Sequence, residues 1–193
     1  KELVDKWISY VKNGGNLILT CRTAQKDRYG RLPEVPFGSM ITPLTGNEMN
    51  FYDLLLPEDP GTVVMNGKEY AWNTWGEILN PPADAQIWAT YKNEFYEGSP
   101  AVTFRKLGKG TITYVGVDSH NGALEKDILK KLYAQLNIPV MDLPYGVTME
   151  YRNGLGIVLN YSDQPYAFNL PKGAKALIGT TNIPTAGVLV FSM

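Results

Sequence analysis

Asn13-Gly14-Gly15-Asn16-Leu17-Ile18-Leu19-Thr20-Cys21-Arg22-Thr23-Ala24-Gln25-Lys26-Asp27 decides how this chain is read. Asn13-Gly14-Gly15 supplies unrestricted or left-handed φ and ends a preceding helix. Leu17-Ile18-Leu19 is a continuous apolar run, the signature of a parallel strand covered on both faces. A polar loop then leaves that strand, with the chain's only cysteine, Cys21, at the exit. In an open α/β sheet, ligands and catalytic groups sit just beyond the carboxyl ends of the strands. The loop after Cys21 is therefore where chemistry would be found, or where it has been lost.

Working outward, Val4, Trp7, Ile8 and Val11 fall at i, i+3, i+4 and i+7 and predict an amphipathic helix over Leu3–Lys12. A chain that opens on a helix followed by a buried parallel strand reads as starting mid-fold, so a first strand is expected upstream. Gln25 to Leu44 is polar, carries Gly30, Pro33, Pro36 and Gly38, and has no clear period. A loop of that length is functional or interface-forming. Phe51–Leu56 is a short apolar run, Thr62–Met65 a strand followed by the hairpin signal Asn66-Gly67, and Gln86–Tyr91 an alternating strand. Ala101–Lys106 and Thr111–Val117 flank Leu107-Gly108-Lys109-Gly110 as a second hairpin. A helix then carries the stripe Leu124, Ile128, Leu132 and Leu136 until Asn137-Ile138-Pro139 stops it. Beyond Met141 helical periodicity vanishes. Val147–Tyr151, Leu155–Tyr161, Tyr166–Leu170, Lys175–Gly179 and Val188–Phe191 alternate with turns, as in a small antiparallel sandwich. The expected organisation is an α/β domain over residues 1–141 and an all-β domain over 142–193.

Composition narrows the function classes. Of the 193 residues 44% are hydrophobic and 19% charged, which fits a globular protein rather than a disordered one. A net charge of −1 gives no electrostatic case for nucleic acid or an anionic membrane as partner. No apolar run approaches the roughly 20 residues of a membrane span. The first residues, Lys1–Lys6, lack signal-peptide architecture, and the compartment stays open between cytoplasm and periplasm. One cysteine and one histidine exclude a zinc site built from several N/S ligands, and no cofactor motif is present. Asn160-Tyr161-Ser162 fits a glycosylation sequon, a triplet common by chance.

Three chemistries can be weighed. Cys21 and His120 each follow a predicted strand, the layout of a thiol nucleophile and its base. The strand order resembles the flavodoxin-like, class I glutamine amidotransferase-like fold, with Leu17–Cys21 at its nucleophile strand and Gly116–His120 at its histidine strand. A nucleophile elbow, however, needs small residues around the cysteine, and here Thr20 precedes it while Arg22-Thr23 follows. The acidic partner of that superfamily's histidine would fall on Gly122, leaving Asp118 as the only substitute. The bland reading makes Cys21 a buried structural residue and His120 a loop residue capping a helix. Second, Trp72, Trp75, Trp88, Tyr91, Phe95 and Tyr96 could stack sugars, although such alternating aromatics also fit core or interface. Third, retaining or inverting glycosidases need two carboxylates about 5–9.5 Å apart. Glu58-Asp59 sits in a Pro/Gly turn and Glu94 and Glu97 border a loop, so neither supplies that pair.

Trp7 through Asp27, with Tyr10-Val11, Asn13-Gly14-Gly15, Leu19-Thr20, Arg22-Thr23 and Lys26-Asp27 in register, resembles a segment of family 42 β-galactosidases. Ala85–Tyr91 with Phe95–Thr103, Leu107–Gly110 with Tyr114-Val115-Gly116, and Trp75 with Glu77 are similar to further segments of the same domain. Val147–Tyr151, Gly156–Asp163 and Ala167–Pro171 resemble that family's small C-terminal β domain. The resemblance covers nearly the whole chain, and it departs at Cys21, where most of the family has no cysteine. It implies a trimerisation domain of amidotransferase-like fold, a homotrimer, and no cofactor. It also implies an N-terminal TIM barrel, outside this sequence, that cleaves terminal β-galactosyl residues with retention using two glutamates. No catalytic residue is then expected in this chain. A cysteine amidase using Cys21 and His120, or a carbohydrate-binding module, remain the alternatives.

Overall fold

The computed structural model describes residues 2–27 and 29–193 and divides into two compact units, the first ending at Leu136 and the second covering Asn137–Met193. In the first, α1 (Glu2–Lys12) buries Val4 and Val11, the face set by the apolar spacing. Its end is closed by hydrogen bonds from Gly14 N–H to the Val11 carbonyl (3.0 Å) and from Gly15 N–H to the Tyr10 carbonyl (3.0 Å), with Gly14 at φ 109°. The chain then enters β1 (Asn16–Thr20), and a long connection leads to the short helix α2 (Thr42–Thr45).

Strands β2 (Glu48–Asp53), β3 (Gly61–Met65), β4 (Lys68–Asn80), β5 (Gln86–Lys92), β6 (Pro100–Leu107) and β7 (Gly110–Val115) complete a sheet of order β1-β7-β6-β5-β3-β4-β2, and β8 (Val117–Ser119) pairs with β4. Helix α3 (Ala123–Gln135) follows. One core layer joins α3, through Leu124, Ile128 and Leu132, to Trp72, Trp88, Tyr91 and Phe104 of the sheet. The other joins α1 and α2, through Val4, Val11 and Leu44, to Leu19, Leu79, Ile112 and Tyr114. Helices thus cover both faces of a domain that is mostly sheet. At the join of α1, β1 and β7 the backbones approach so closely that a Cβ on Gly110 would collide with the carbonyl oxygens of Val11 and Gly15.

Several expectations need correction. The apolar run Leu17–Leu19 predicts a parallel sheet, but the sheet is mixed: β1–β7 is its one parallel pairing among the described residues. The arm predicted as Thr111–Val117 is broken at Gly116. There the Gly116 N–H donates to Ala101 O at 2.8 Å and its carbonyl accepts from Glu77 N–H at 2.7 Å, so the chain leaves β6 and crosses to β4 as β8. Residues 68–80, unassigned by periodicity, form the longest strand. The stretch Gln25 to Leu44, read as loop, runs into α2 at its end.

In the second unit β9 (Val147–Arg152), β10 (Leu155–Asn160), β12 (Lys175–Ile178) and β14 (Val188–Ser192) form an antiparallel sheet of order β12-β14-β10-β9. A two-residue pairing joins β11 (Tyr166–Ala167) and β13 (Asn182–Ile183), so the strand predicted over Tyr166–Leu170 is shorter than expected. Val158, Ile183, Leu189 and Phe191 are fully buried and form its core with Val147 and Phe168. Gly156 lies flat under Phe191, and a Cβ there would meet the ring.

Candidate functional site

The polar centre of the first unit is Glu77. It lies within Trp75-Gly76-Glu77-Ile78-Leu79, a run of β4 buried at every position, and is itself fully buried. Oε1 accepts from the backbone N–H of Arg22 at 2.7 Å and from Trp75 Nε1 at 3.0 Å, and Oε2 accepts from the Tyr114 hydroxyl at 2.6 Å. Its own carbonyl accepts from the Tyr91 hydroxyl at 3.1 Å. Burial raises the Glu77 pKa, opposed by the donors from Tyr114, Arg22 and Trp75. The carboxyl clamps the loop that leaves β1, where Arg22 (φ 65°) and Ala24 (φ 60°) both hold left-handed backbone.

That clamp shapes a groove. The Arg22 guanidinium lies over the Trp75 ring at 5.0 Å, and Tyr52 stacks on Trp75 with ring centroids 4.3 Å apart and 11° between the planes. Phe37 packs against both aromatics. Ala24, Leu32, Val35, Pro36, Phe37 and Tyr52 then line a depression of about 250 Å³. Gln25 adds a polar group to this mostly apolar lining.

Cys21 sits beside this clamp, half-buried and unbridged. Burial pushes its thiol up to about 12, and the carboxyls of Glu77, Asp118 and Glu125 add to the rise against Arg22. A nucleophilic cysteine needs the opposite environment, one that favours thiolate. His120 is exposed and opens a short 3-10 turn, and no hydrogen bond joins it to Cys21 or Asp118 among the described residues. The parallel β1 and β7 do point their carboxyl ends the same way, but β8 carries His120 across to β4, beside the Ser119–Trp72 pair. Nor does His120 cap the helix, as the bland reading expects. Ser119 Oγ accepts from Leu124 N–H at 3.0 Å and donates to Glu125 Oε2, while Ser119 N–H donates to Glu125 Oε1 at 3.1 Å. The geometry does not favour an amidase.

The aromatic candidates divide. Trp72, Trp75, Trp88, Tyr91 and Tyr96 are buried, with Trp88 stacked on Phe104 at 4.6 Å and Tyr91 edge-on to Trp72. Only Phe95 of that set is exposed. Most of the supposed sugar platform is core. Glu58, Asp59 and Glu97 are exposed on turns, and Glu97 accepts from Asn93 N–H at 3.3 Å. Among the described residues no cluster of three or more His, Cys, Asp or Glu side chains could hold a metal ion. Asn160 of the sequon is buried: Nδ2 donates to the carbonyls of Gln164, Ile183 and Pro184, and Oδ1 accepts from Ser162 N–H and Oγ. Spacing did not single out Glu77 as a hub. The available signal was a lone carboxylate inside an otherwise apolar run.

With this geometry in view, two family profiles match the chain: one described as the β-galactosidase trimerisation domain over residues 1–144, the other as the β-galactosidase C-terminal domain over residues 146–193. The β-galactosidase BgaH of Haloferax lucentense is 27% identical over 185 residues, 94% of this chain and 27% of the relative. BgaA of Clostridium cellulovorans is 30% identical over 174 residues, 88% of this chain and 26% of the relative. LacA of Lactobacillus acidophilus is 35% identical over 117 residues, 60% of this chain and 17% of the relative. The chain thus spans between 17% and 27% of the length of these relatives. Among solved structures, a β-galactosidase from Halorubrum lacusprofundi superposes with TM-score 0.86 at 25% identity, covering 100% of this chain and 29% of that one. One from Rahnella sp. R3 shares the fold with TM-score 0.85 at 22% identity, covering 100% and 31%.

Proposed function

We infer the role of this chain from a premise: it belongs to the β-galactosidase trimerisation-domain family over residues 1–144 and to the β-galactosidase C-terminal-domain family over residues 146–193. We propose that it is the non-catalytic oligomerisation and C-terminal region of a β-galactosidase-like glycosidase. Hydrolysis of terminal β-galactosyl groups belongs to a TIM barrel in the same polypeptide, outside these 193 residues. The observation that carries the reading is the pair of adjacent family matches, in order and nearly end to end.

Three finer statements go with it. The region assembles as a homotrimer through the first unit, supported by the family's description. The parallel β1–β7 pair with helices on both faces supports a likeness to the amidotransferase-like sheet at that edge. We place the domain boundary at residues 141/142 on the loss of helical periodicity after Met141, between the end of the first compact unit at Leu136 and the start of the second family match at residue 146. Chemistry points the same way, because burial, with the nearby carboxyls, disfavours a Cys21 thiolate, while the Glu77 clamp serves loop geometry.

The test is the coding sequence upstream of Lys1. A (β/α)8 pattern is expected there, and a start codon followed by a single strand would overturn the proposal. The chain alone is expected to release no nitrophenol from nitrophenyl β-galactoside, and turnover by it would equally overturn the division of labour.

A further inference from the structure

Four asparagines stand directly before a glycine: Asn13, Asn66, Asn121 and Asn153. The four dipeptides share one chemistry. The glycine amide nitrogen, unhindered by a side chain, can attack Cγ of the asparagine before it. A new N–Cγ bond closes a succinimide ring, the Cγ–Nδ2 bond breaks, and Nδ2 leaves as ammonia carrying the amide proton. Water then opens the ring at either carbonyl, adding its hydroxyl to the carbon and its proton to the nitrogen. The products are aspartate or isoaspartate, and isoaspartate lengthens the backbone by one carbon. No oxidant or reductant takes part.

The fold separates the four. Asn66-Gly67 and Asn153-Gly154 are the two-residue tips of the β3–β4 and β9–β10 hairpins, beyond the pairs Met65–Lys68 and Arg152–Leu155. Both residues of each tip hold left-handed backbone, φ 52° and 79° in the first and 50° and 77° in the second. All four side-chain positions are exposed, and a Cβ on Gly67 or Gly154 would meet nothing within 4 Å. Among the described residues neither glycine N–H donates to a backbone carbonyl. Ring closure requires the asparagine to leave this turn, and at a hairpin tip only the end of the ladder has to open. The second tip is the better tied, because the Gly154 carbonyl accepts from Met193 N–H at 3.0 Å.

Asn13 and Asn121 are held differently. Asn13 N–H donates to Ser9 O at 3.1 Å, and Gly14 N–H, the nitrogen that would attack, donates to Val11 O at 3.0 Å. The carbonyls of Lys12 and Gly15 accept from Lys109 and Thr111 N–H, so opening there pulls apart the join of α1, β1 and β7. Asn121 lies in the 3-10 turn His120–Gly122, with Ala123 N–H on His120 O. Its flanks, Ser119 and Leu124, are buried and joined by the bond from Leu124 N–H to Ser119 Oγ.

We propose that Asn66 and Asn153 are sites of spontaneous deamidation through a succinimide, and that Asn13 and Asn121 are spared while the chain is folded. Each event places a new carboxylate on a hairpin tip. Where the product is isoaspartate, the extra backbone atom no longer fits a two-residue turn in its present register.

Peptide mapping by mass spectrometry tests this on the whole chain, aged in mildly alkaline buffer beside a sample unfolded in urea. The unfolded sample gives the intrinsic rate of each dipeptide. In the folded chain Asn66 is expected to react fastest, with Asn66 and Asn153 both within about tenfold of their unfolded rates. Asn13 and Asn121 are expected at least about a hundredfold below theirs. Asn66→Gln and Asn153→Gln should each remove the modification of one hairpin peptide and leave the other. Reaction at Asn13 or Asn121 as fast as at the tips would overturn the assignment. Tips that stay intact while the unfolded chain converts would overturn it as well.

Discussion

Arg22 and Glu77, 55 residues apart in sequence, are joined by a 2.7 Å hydrogen bond from the Arg22 backbone N–H to Glu77 Oε1. The bond fixes a left-handed residue at the exit of β1 against a fully buried carboxyl, so the shape of the loop depends on one side chain in a distant strand. Glu77→Ala would leave the Arg22 N–H, the Trp75 indole N–H and the Tyr114 hydroxyl unsatisfied in the interior. The expected loss is about 3–5 kcal/mol, read by urea denaturation. Glu77→Gln retains an acceptor and is expected to lose much less.

The pH dependence has a fixed sign. Burial raises the Glu77 pKa in the folded chain, so between its unfolded and folded values the folded state holds the proton more tightly. The contribution of Glu77 to stability is therefore fullest below the ordinary carboxylate range and declines as pH rises through the raised value. Melting temperature followed upward from about pH 4 should carry this component in wild type and lose it in Glu77→Gln.

Cys21 should be a poor nucleophile. With its thiol pushed from 9.0 to about 12, the thiolate population near neutrality is roughly a thousandfold below that of an unperturbed thiol. Alkylation by iodoacetamide in the folded chain should be correspondingly slow and should rise severalfold in Glu77→Gln, which removes one of the charges that oppose ionisation. Labelling as fast as in the unfolded chain would contradict this environment.

In the second unit Gly156→Val places methyl groups where the Phe191 ring lies. Overpacking of this kind costs about 1–3 kcal/mol, and the fully buried Phe191 has little room to retreat. Differential scanning calorimetry should show the loss.

Asn160 has five hydrogen-bonding contacts in the interior and no access for an oligosaccharyl group. Expression in a glycosylating host should give a chain whose mobility is unchanged by glycosidase treatment. Asn160→Ala should destabilise by about 2–4 kcal/mol through the orphaned carbonyls and Ser162 N–H.

Trp72, Trp75 and Trp88 are 0%, 7% and 5% exposed, too closed to stack on a sugar ring. Titration with galactosides should leave the tryptophan fluorescence of this chain unquenched, and saturable quenching would revive the carbohydrate-binding reading.

Local periodicity carried the helices and hairpins well. The spacing of Val4 and Val11 marks the buried face of α1, the stripe Leu124, Ile128 and Leu132 that of α3, and Asn66-Gly67 the turn between β3 and β4. What was hidden is non-local. Nothing near Gly116 in sequence announces that its N–H will find Ala101 while its carbonyl finds Glu77, yet that pair of bonds redirects the strand. Strand β4 was obscured because Tyr70 and Trp72 alternate with exposed neighbours while Trp75–Leu79 is buried throughout, so no single period describes it. Glu77 illustrates the same limit: beside its strand neighbour Trp75, its donors Arg22 and Tyr114 lie 55 and 37 residues away, and only the assembled sheet brings them together.

The parallel pairing of β1 with β7 also sets a schedule for folding. Asn16 and Thr111 are 95 residues apart, and the Thr111 hydroxyl donates to Asn16 Oδ1 at 2.7 Å only once both are in place. At ribosomal speeds of roughly 5–20 residues per second, Leu17-Ile18-Leu19 waits about 5–20 s after synthesis for its described neighbour. Until then the edge of β1 that will pair with β7 keeps its backbone groups open to any passing edge. Among the described strands β1 is made before its parallel partner β7 by this interval, and the nascent chain has need of a chaperone on that edge until the pair forms.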